Sequence, residues 1–88
     1  MHFEWDEKKN ASNEEKHGVP LSFGCALWDS RVVTFSSRRK GEARKLSIGR
    51  IDGEYWSAIW EPRGDAVRLI SVRLATPKER SCYDRNDR

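Results

Sequence analysis

Residues 64–80 place an apolar strand directly before a capped helix, and this order restricts the folds that the chain can adopt. The run VRLISVRL at 67–74 is the most continuous aliphatic and β-branched segment of the sequence, as expected of a central strand. Thr76 then provides an N-cap hydroxyl, Pro77 suits the first helical position, and Glu79 completes a capping box. The segment predicts a central strand followed at once by a helix that begins at Pro77.

Two arginines, Arg68 and Arg73, interrupt the aliphatic run. A guanidinium keeps its charge, so each must find an anion, a hydrogen-bond partner or water. In a straight strand, alternation places Arg68 on one face and Arg73 on the other. Two arrangements remain open: a bulge or twist re-aims some of the arginines, or Arg68 and Arg44 lie at the rim of the covered face.

Composition indicates one folded domain covering residues 1–88. The four Trp, three Phe and two Tyr offset a charged fraction of 35% and favour folding over disorder. A chain of this length buries roughly 60–65% of its unfolded surface. No apolar run reaches membrane-spanning length and the first residues lack a signal-peptide pattern, so a cytoplasmic protein with no membrane partner is expected. Cys25 and Cys82 have no CxxC spacing and are expected to be reduced thiols.

Basic charge is concentrated in two blocks of the chain. Residues 31–50 contain seven Lys or Arg and one acid, and residues 66–88 contain six and three. If the blocks meet on one face, they form a surface that attracts phosphate. The alternative is that both are ordinary solvated faces.

The remaining patterns give the order of the elements. They are a polar helix at 6–17, an apolar helix at 19–29, a short strand VVTF at 32–35, and a strand at 44–51. Asp52-Gly53 predicts a hairpin to a strand at 54–61, and a loop at 62–65 leads to the strand at 67–74. The prediction is an α+β fold: two N-terminal helices, a three- to four-stranded antiparallel meander and a C-terminal helix.

The polar residues favour metal-free RNA cleavage, in which a 2′-hydroxyl attacks the neighbouring phosphate. This chemistry needs a proton acceptor, cations around the phosphorus and a donor to the leaving oxygen. The candidate acids and bases are His17, Glu42 and Lys45, and the candidate cations are Arg44, Arg68, Arg73 and Arg80. Glycine-rich phosphate loops, HExxH motifs and paired-Cys zinc signatures are absent from the sequence, which disfavours nucleotide- or metal-dependent enzymes.

Structural roles remain open for several candidates. His17 suits the C-terminus of a helix, where the macrodipole favours a cation. Glu42 and Arg44, two residues apart, can form a salt bridge.

The last two arginines also have structural alternatives. Arg73 can lie over a tryptophan ring, and Arg80 can pair with Asp84 one helical turn later. Trp56 and Trp60 share a strand face, which favours core packing over base stacking.

The sequence resembles the BrnT-type toxins, the ribonuclease members of bacterial type II toxin–antitoxin pairs. The matching segments are FEWDEKKNASNEEKHGV at 3–19, the helix ending at Trp28-Asp29, GEARKLSIGR at 41–50, and RGDAVRLISVRLATPKERSCY at 63–83. The last two fit the patterns GExRxxxIG and RGDxxRxISxRxATxxERxxY. All four occur in the family's order and cover most of the chain.

The resemblance implies a RelE-like fold, an RNA substrate, translation inhibition, and no cofactor or metal. It also implies a neutralising antitoxin with a ribbon-helix-helix DNA-binding domain, whose complex with the toxin represses the shared operon. The residues that match the pattern and are favoured for the site are Glu42, Arg44, Arg68 and Arg73, followed by His17 and Arg80.

Two other hypotheses compete with the ribonuclease. One is a catalytically silent module that keeps the fold, binds the antitoxin and acts as co-repressor. The other is a basic RNA-binding protein without cleavage, in which Arg38, Arg39 and Lys40 join the binding face. Convergence of the arginines on one concave face would favour the enzyme.

Overall fold

The computed structural model describes residues 1–37 and 39–86. Its elements are β1 (His2–Glu4), α1 (Glu7–His17), a 3₁₀ helix (Leu21–Asp29), β2 (Val33–Ser36), β3 (Lys45–Ile51), β4 (Glu54–Arg63), β5 (Ala66–Leu74) and α2 (Pro77–Arg85). The strands form one sheet in the order β1-β5-β4-β3-β2, antiparallel except for the parallel pair β1–β5. The predicted α+β architecture is confirmed. Within these residues, no helix combines the length and apolar character needed to cross a membrane.

Helix α1 forms where its caps predict it. The Asp6 carboxylate accepts hydrogen bonds from the backbone N–H groups of Lys8 and Lys9, and the bond from Lys9 is the main reason that the pKa of Asp6 is lowered. Gly18 ends the helix in the left-handed conformation, at φ 83°. Asn13 is the buried residue of this polar helix, and its side chain bonds Val72 N–H, Val72 C=O and Val19 C=O.

The apolar segment after α1 is a 3₁₀ helix, where a short buried helix was expected. Its buried residues Leu21, Gly24 and Leu27 recur every three positions, which is the period of a 3₁₀ helix. A Cβ built on Gly24 would lie 2.7 Å from Cγ2 of Val72. Glycine therefore lets this helix lie directly against β5, which explains a residue that otherwise weakens a helix.

Strand β1 was not predicted. Its three residues pair in parallel with Ala66, Val67 and Arg68, which lie more than sixty residues later in the chain. Phe3 packs against Trp28, with ring centroids 5.4 Å apart. The sheet consequently has five strands, one more than the meander with VVTF as its fourth strand.

The β4–β5 hairpin is tighter than predicted. The loop at 62–65 was wrong, because Pro62 and Arg63 continue β4 and pair with Val67 and Ala66. Only Gly64-Asp65 forms the turn, with Gly64 at φ 60°. This register places Glu61 opposite Arg68.

A β-bulge at Ile70 interrupts β5. Ile59 pairs with Ser71 and Trp60 pairs with Leu69, which leaves Ile70 without a partner in the ladder. The bulge shifts the alternation by one residue. Arg68 and Arg73 therefore lie on the same face of the sheet. Of the two arrangements left open by the sequence, this is the one in which a bulge re-aims an arginine.

The two faces of the sheet are covered differently. The core lies between the sheet and the 3₁₀ helix and contains Leu21, Leu27, Ile51, Trp56, Ala58, Val67, Leu69 and Val72. On the opposite face α2 packs over one end of the sheet, where Tyr83 lies edge-on to Tyr55 and Glu79 accepts a hydrogen bond from Ser57. At the other end α2 leaves a surface that we call the open face.

Candidate functional site

A row of alternating charges crosses the open face at one end of the sheet. Arg44 Nε lies 3.7 Å from Glu61 Oε1 and 3.9 Å from Glu42 Oε1. Glu61 is the cross-strand partner of Arg68, and Arg68 Nη1 lies 3.2 Å from Oε1 of Glu4 on β1. We call these five side chains the charged row. Two guanidinium groups thus come together with three carboxylates.

The ion pairs that Arg44 makes in the charged row are open to solvent. The Arg44 side chain is 52% exposed, and its two carboxylate contacts exceed hydrogen-bond length. Exposed pairs of this kind contribute about 0–1 kcal/mol. A phosphate can therefore displace the carboxylates from Arg44 at small cost.

Next to the charged row lies an apolar row. Phe35 pairs with Leu46, and Leu46 pairs with Ile59, so their side chains line up across β2, β3 and β4. They border a groove of about 350 Å³ that Glu42 and Arg44 also line. The groove joins the charged row to an apolar floor.

Arg73 does not reach the charged row. Its Nη1 and Nη2 atoms donate to Glu79 at 2.7 and 3.0 Å, and Glu79 also accepts from Ser57 Oγ at 2.9 Å. The bond to Arg73 is the main cause that lowers the pKa of Glu79 to about 2, and Glu79 in turn raises the pKa of Arg73. The predicted capping box with Thr76 is also present. Arg73 is thus neutralised beneath α2, and the predicted contact with a tryptophan is replaced by this ion pair.

Arg80 lies at the opposite end of the sheet from the charged row. Its guanidinium carbon is 4.8 Å from the ring centroid of Tyr55, and that of Arg50 is 4.7 Å from the same centroid. Asp84, the predicted partner of Arg80, accepts the hydrogen bond of Tyr55 Oη at 2.9 Å, and this bond is the main reason that the pKa of Tyr55 is raised. A cavity of about 330 Å³ separates Arg50 from Arg80.

His17 lies at the end of α1, as its helix-terminal alternative predicted. With Lys9 and Lys16 it lines a separate cavity of about 220 Å³ beside Ile70 and Ser71. His17 therefore belongs to neither the charged row nor the groove.

The structure brings together three of the six predicted site residues: Glu42, Arg44 and Arg68. Arg73, Arg80 and His17 lie at three other places, and the catalytic role of all six stays a prediction. Arg39 and Lys40 are exposed in the loop after β2, whereas Arg38, the third residue of the RNA-binding hypothesis, lies outside the described residues.

Glu61 is a member of the charged row that the sequence reasoning missed. It stands between Arg44 and Arg68, and a two-residue turn at Gly64-Asp65 places it opposite Arg68. Recognising this turn type would have identified Glu61.

Comparison with known protein families identifies the chain. Among the described residues, no group of three or more His, Cys, Asp or Glu side chains is arranged to hold a metal ion. No curated protein matches the sequence. Residues 5–79 match the family model described as "Ribonuclease toxin, BrnT, of type II toxin-antitoxin system". The chain therefore belongs to the BrnT family of ribonuclease toxins of type II toxin–antitoxin systems.

Proposed function

We propose that this ribonuclease toxin cleaves RNA at the charged row without a metal ion, by attack of a 2′-hydroxyl on the adjacent phosphate. The observation that carries the proposal is the placement of Arg44 and Arg68 around Glu61, with Glu42 beside them at the rim of the groove. Two cations and a carboxylate base in one cluster are groups that transphosphorylation uses.

The reaction forms one bond and breaks one. The 2′-oxygen loses its proton to the Glu42 carboxylate and bonds to phosphorus, and the bond from phosphorus to the 5′-oxygen breaks. The products are a 2′,3′-cyclic phosphate and a 5′-hydroxyl. The 5′-oxygen takes its proton from solvent, because alternation places the Lys45 side chain on the opposite face of the sheet from Arg44 and Leu46, where its Nζ donates to Ser36 Oγ at 2.9 Å.

The arginines stabilise the charge that develops on the phosphoryl oxygens. Arg44 and Arg68 leave their carboxylate partners for the substrate phosphate, which a guanidinium binds in a bidentate manner and whose negative charge grows in the pentacoordinate transition state. Glu61, which pairs with Arg44 and stands opposite Arg68, keeps the two cations near each other before RNA binds and acts as a positioning residue.

The family assignment supports two further parts of the proposal. The family is described as a ribonuclease toxin of a type II toxin–antitoxin system. We propose that its RNA substrate is messenger RNA, so that cleavage halts translation, and that its antitoxin carries a ribbon-helix-helix domain that takes the complex to operator DNA. Co-purification of the toxin with the product of an adjacent gene, followed by a DNA-binding assay, tests the partner.

The catalytic proposal is tested with the purified chain, free of any partner, and a long single-stranded RNA in EDTA. Glu42→Ala and Arg68→Ala are expected to lose about 10²–10³-fold in rate. The matched controls are Glu54→Ala and Arg63→Ala, exposed residues outside the charged row, which should keep the wild-type rate. Fragments with 2′,3′-cyclic phosphate ends would support the chemistry.

A second candidate function is the silent co-repressor, favoured by the fact that both arginines of the charged row already have carboxylate partners. Intact RNA from folded wild-type protein, together with repression by the toxin–antitoxin complex, would favour this alternative. Equal cleavage by wild type and Arg68→Ala would instead place the active site elsewhere.

A further inference from the structure

We infer that the groove over the apolar row binds one unpaired nucleobase of the RNA, with Phe35 as its stacking surface. The inference rests on the proposed function, because it assigns the groove to the same substrate that the charged row cleaves. It adds a substrate-binding role for Phe35, which lies outside the candidate catalytic residues.

Phe35 lines the groove and exposes part of its aromatic ring to solvent there. It is 41% exposed, although it heads a cross-strand row of apolar side chains with Leu46 and Ile59. Among the described residues, the other large apolar side chains that are exposed are Met1 and Leu74. Leu74 borders the cavity near Tyr55, at the opposite end of the sheet from the charged row. In the part of the chain that the structure describes, Phe35 is therefore the exposed aromatic ring beside the charged row.

The spacing of the two rows suits a nucleotide. Leu46, the second residue of β3, follows Arg44 by two residues, so the apolar row lies about 7 Å from the charged row on the same face. Glu42 and Arg44 belong to the charged row and also line the groove over the apolar row. A base that enters the groove consequently places its phosphate at the charged row.

The charge around the groove favours RNA over an apolar protein segment. Arg44 lines it beside Glu42, with Glu61 3.7 Å from Arg44, and the exposed Arg39 and Lys40 add two cations in the adjoining loop. The volume of about 350 Å³ is at the lower end of small-ligand pockets, which suits a single ring system. Aromatic rings within basic grooves are the usual arrangement for binding single-stranded nucleic acid.

The polar groups of the groove offer little for reading the edge of a base. Ser36 Oγ accepts from Lys45 Nζ, and Ser37 Oγ accepts from the backbone N–H of Arg39. Stacking on a ring accepts every base, since each has a π-face. We therefore expect the groove to select single-stranded over paired RNA, with weak preference among the four bases.

The experiment measures binding of a short single-stranded RNA that carries 2′-O-methyl groups and so cannot be cleaved. Phe35→Ala should weaken the Kd about 5- to 150-fold, and Phe35→Trp should keep or tighten it. Leu74→Ala, which truncates a more exposed apolar side chain outside the groove (53% against 41% for Phe35), should leave the Kd unchanged. Because no cleavage is involved, the result is independent of whether the charged row is catalytic.

A second measurement identifies the base. The same RNA is made with one abasic position at a time, and each is bound by wild type and Phe35→Ala. One abasic position should weaken binding to wild type and add no further loss in Phe35→Ala. Equal Kd values for wild type and Phe35→Ala, or additive losses at every position, would overturn the inference. A Phe35→Ala variant that binds RNA normally but binds the antitoxin weakly would assign the groove to the protein partner and also overturn it.

Discussion

Replacing Glu79 by Gln is expected to destabilise the fold by about 2–3 kcal/mol at neutral pH. The Glu79 side chain is 16% exposed and accepts two hydrogen bonds from Arg73, one from Ser57 and one from Thr76 N–H. Gln retains the shape and one neutral oxygen, but it leaves the half-buried guanidinium of Arg73 without its anion. The loss is therefore electrostatic, with little change in packing.

The pKa of Glu79 gives the magnitude and the pH range. A fall from 4.5 to about 2 corresponds to about 3 kcal/mol, since each tenfold change in proton affinity is worth about 1.4 kcal/mol. The pKa is lower in the folded state than in the unfolded state. This stability is consequently complete above pH 4.5 and is lost as the pH falls through about 2.

Urea denaturation of wild type and Glu79→Gln, from pH 7 down to pH 2, measures this effect. The difference in the free energy of unfolding should be largest at pH 7 and shrink toward zero in acid, and the Tm at pH 7 should fall by about 8–20 °C. Glu15→Gln, at an exposed position of α1, is the control. A difference that is the same at pH 7 and pH 2 would refute the ion-pair reasoning.

Three further predictions concern the N-terminal elements. Asn13→Ala should cost about 2–3 kcal/mol of unfolding free energy, because the buried N–H and C=O of Val72 both lose a partner; an unchanged urea midpoint would contradict this. Gly24→Ala should cost about 1–3 kcal/mol, because its Cβ would clash with Val72, and a thermal melt equal to that of wild type would disprove the close contact. Burial raises the pKa of the Cys25 thiol, so its alkylation should reach half-maximal rate at a higher pH than that of free cysteine, whereas coincident pH–rate profiles would count against this.

The elements with local signals were predictable from the sequence. The Asp6 cap, the Thr76–Glu79 capping box and the Asp52-Gly53 hairpin each act within a few residues, so the pattern determines them. Strand β1 has three residues, too few for alternation to be visible, and its partner is distant in the chain. The 3₁₀ period of the segment at 21–29 depends on contact with β5, which no local pattern contains.

The site residues could be predicted only as far as the pairing register of the strands could be predicted. Glu42 and Arg44 are close in sequence, and their contact follows from spacing alone. Arg68 joins them through the hairpin register, and Glu61 was missed because the turn was assigned four residues in place of two. The sequence pattern favours Arg73 for the site and Glu79, six residues later, for the helix cap, whereas the structure pairs the two side chains. One carboxylate serves both the cap and the arginine, and a sequence does not show such sharing.

Ile70 is a residue that the β4–β5 ladder does not need. Without it, the sequence VRLSVR would alternate apolar and polar side chains with the same assignment to the two faces that the sheet has now. Its presence makes β5 one residue longer than the stretch of β4 that it follows, and such a mismatch bends and twists a strand. The extra residue also decides which face receives the charges on either side of it: Arg68 reaches Glu4 and Arg73 reaches Glu79 on the same side of the sheet.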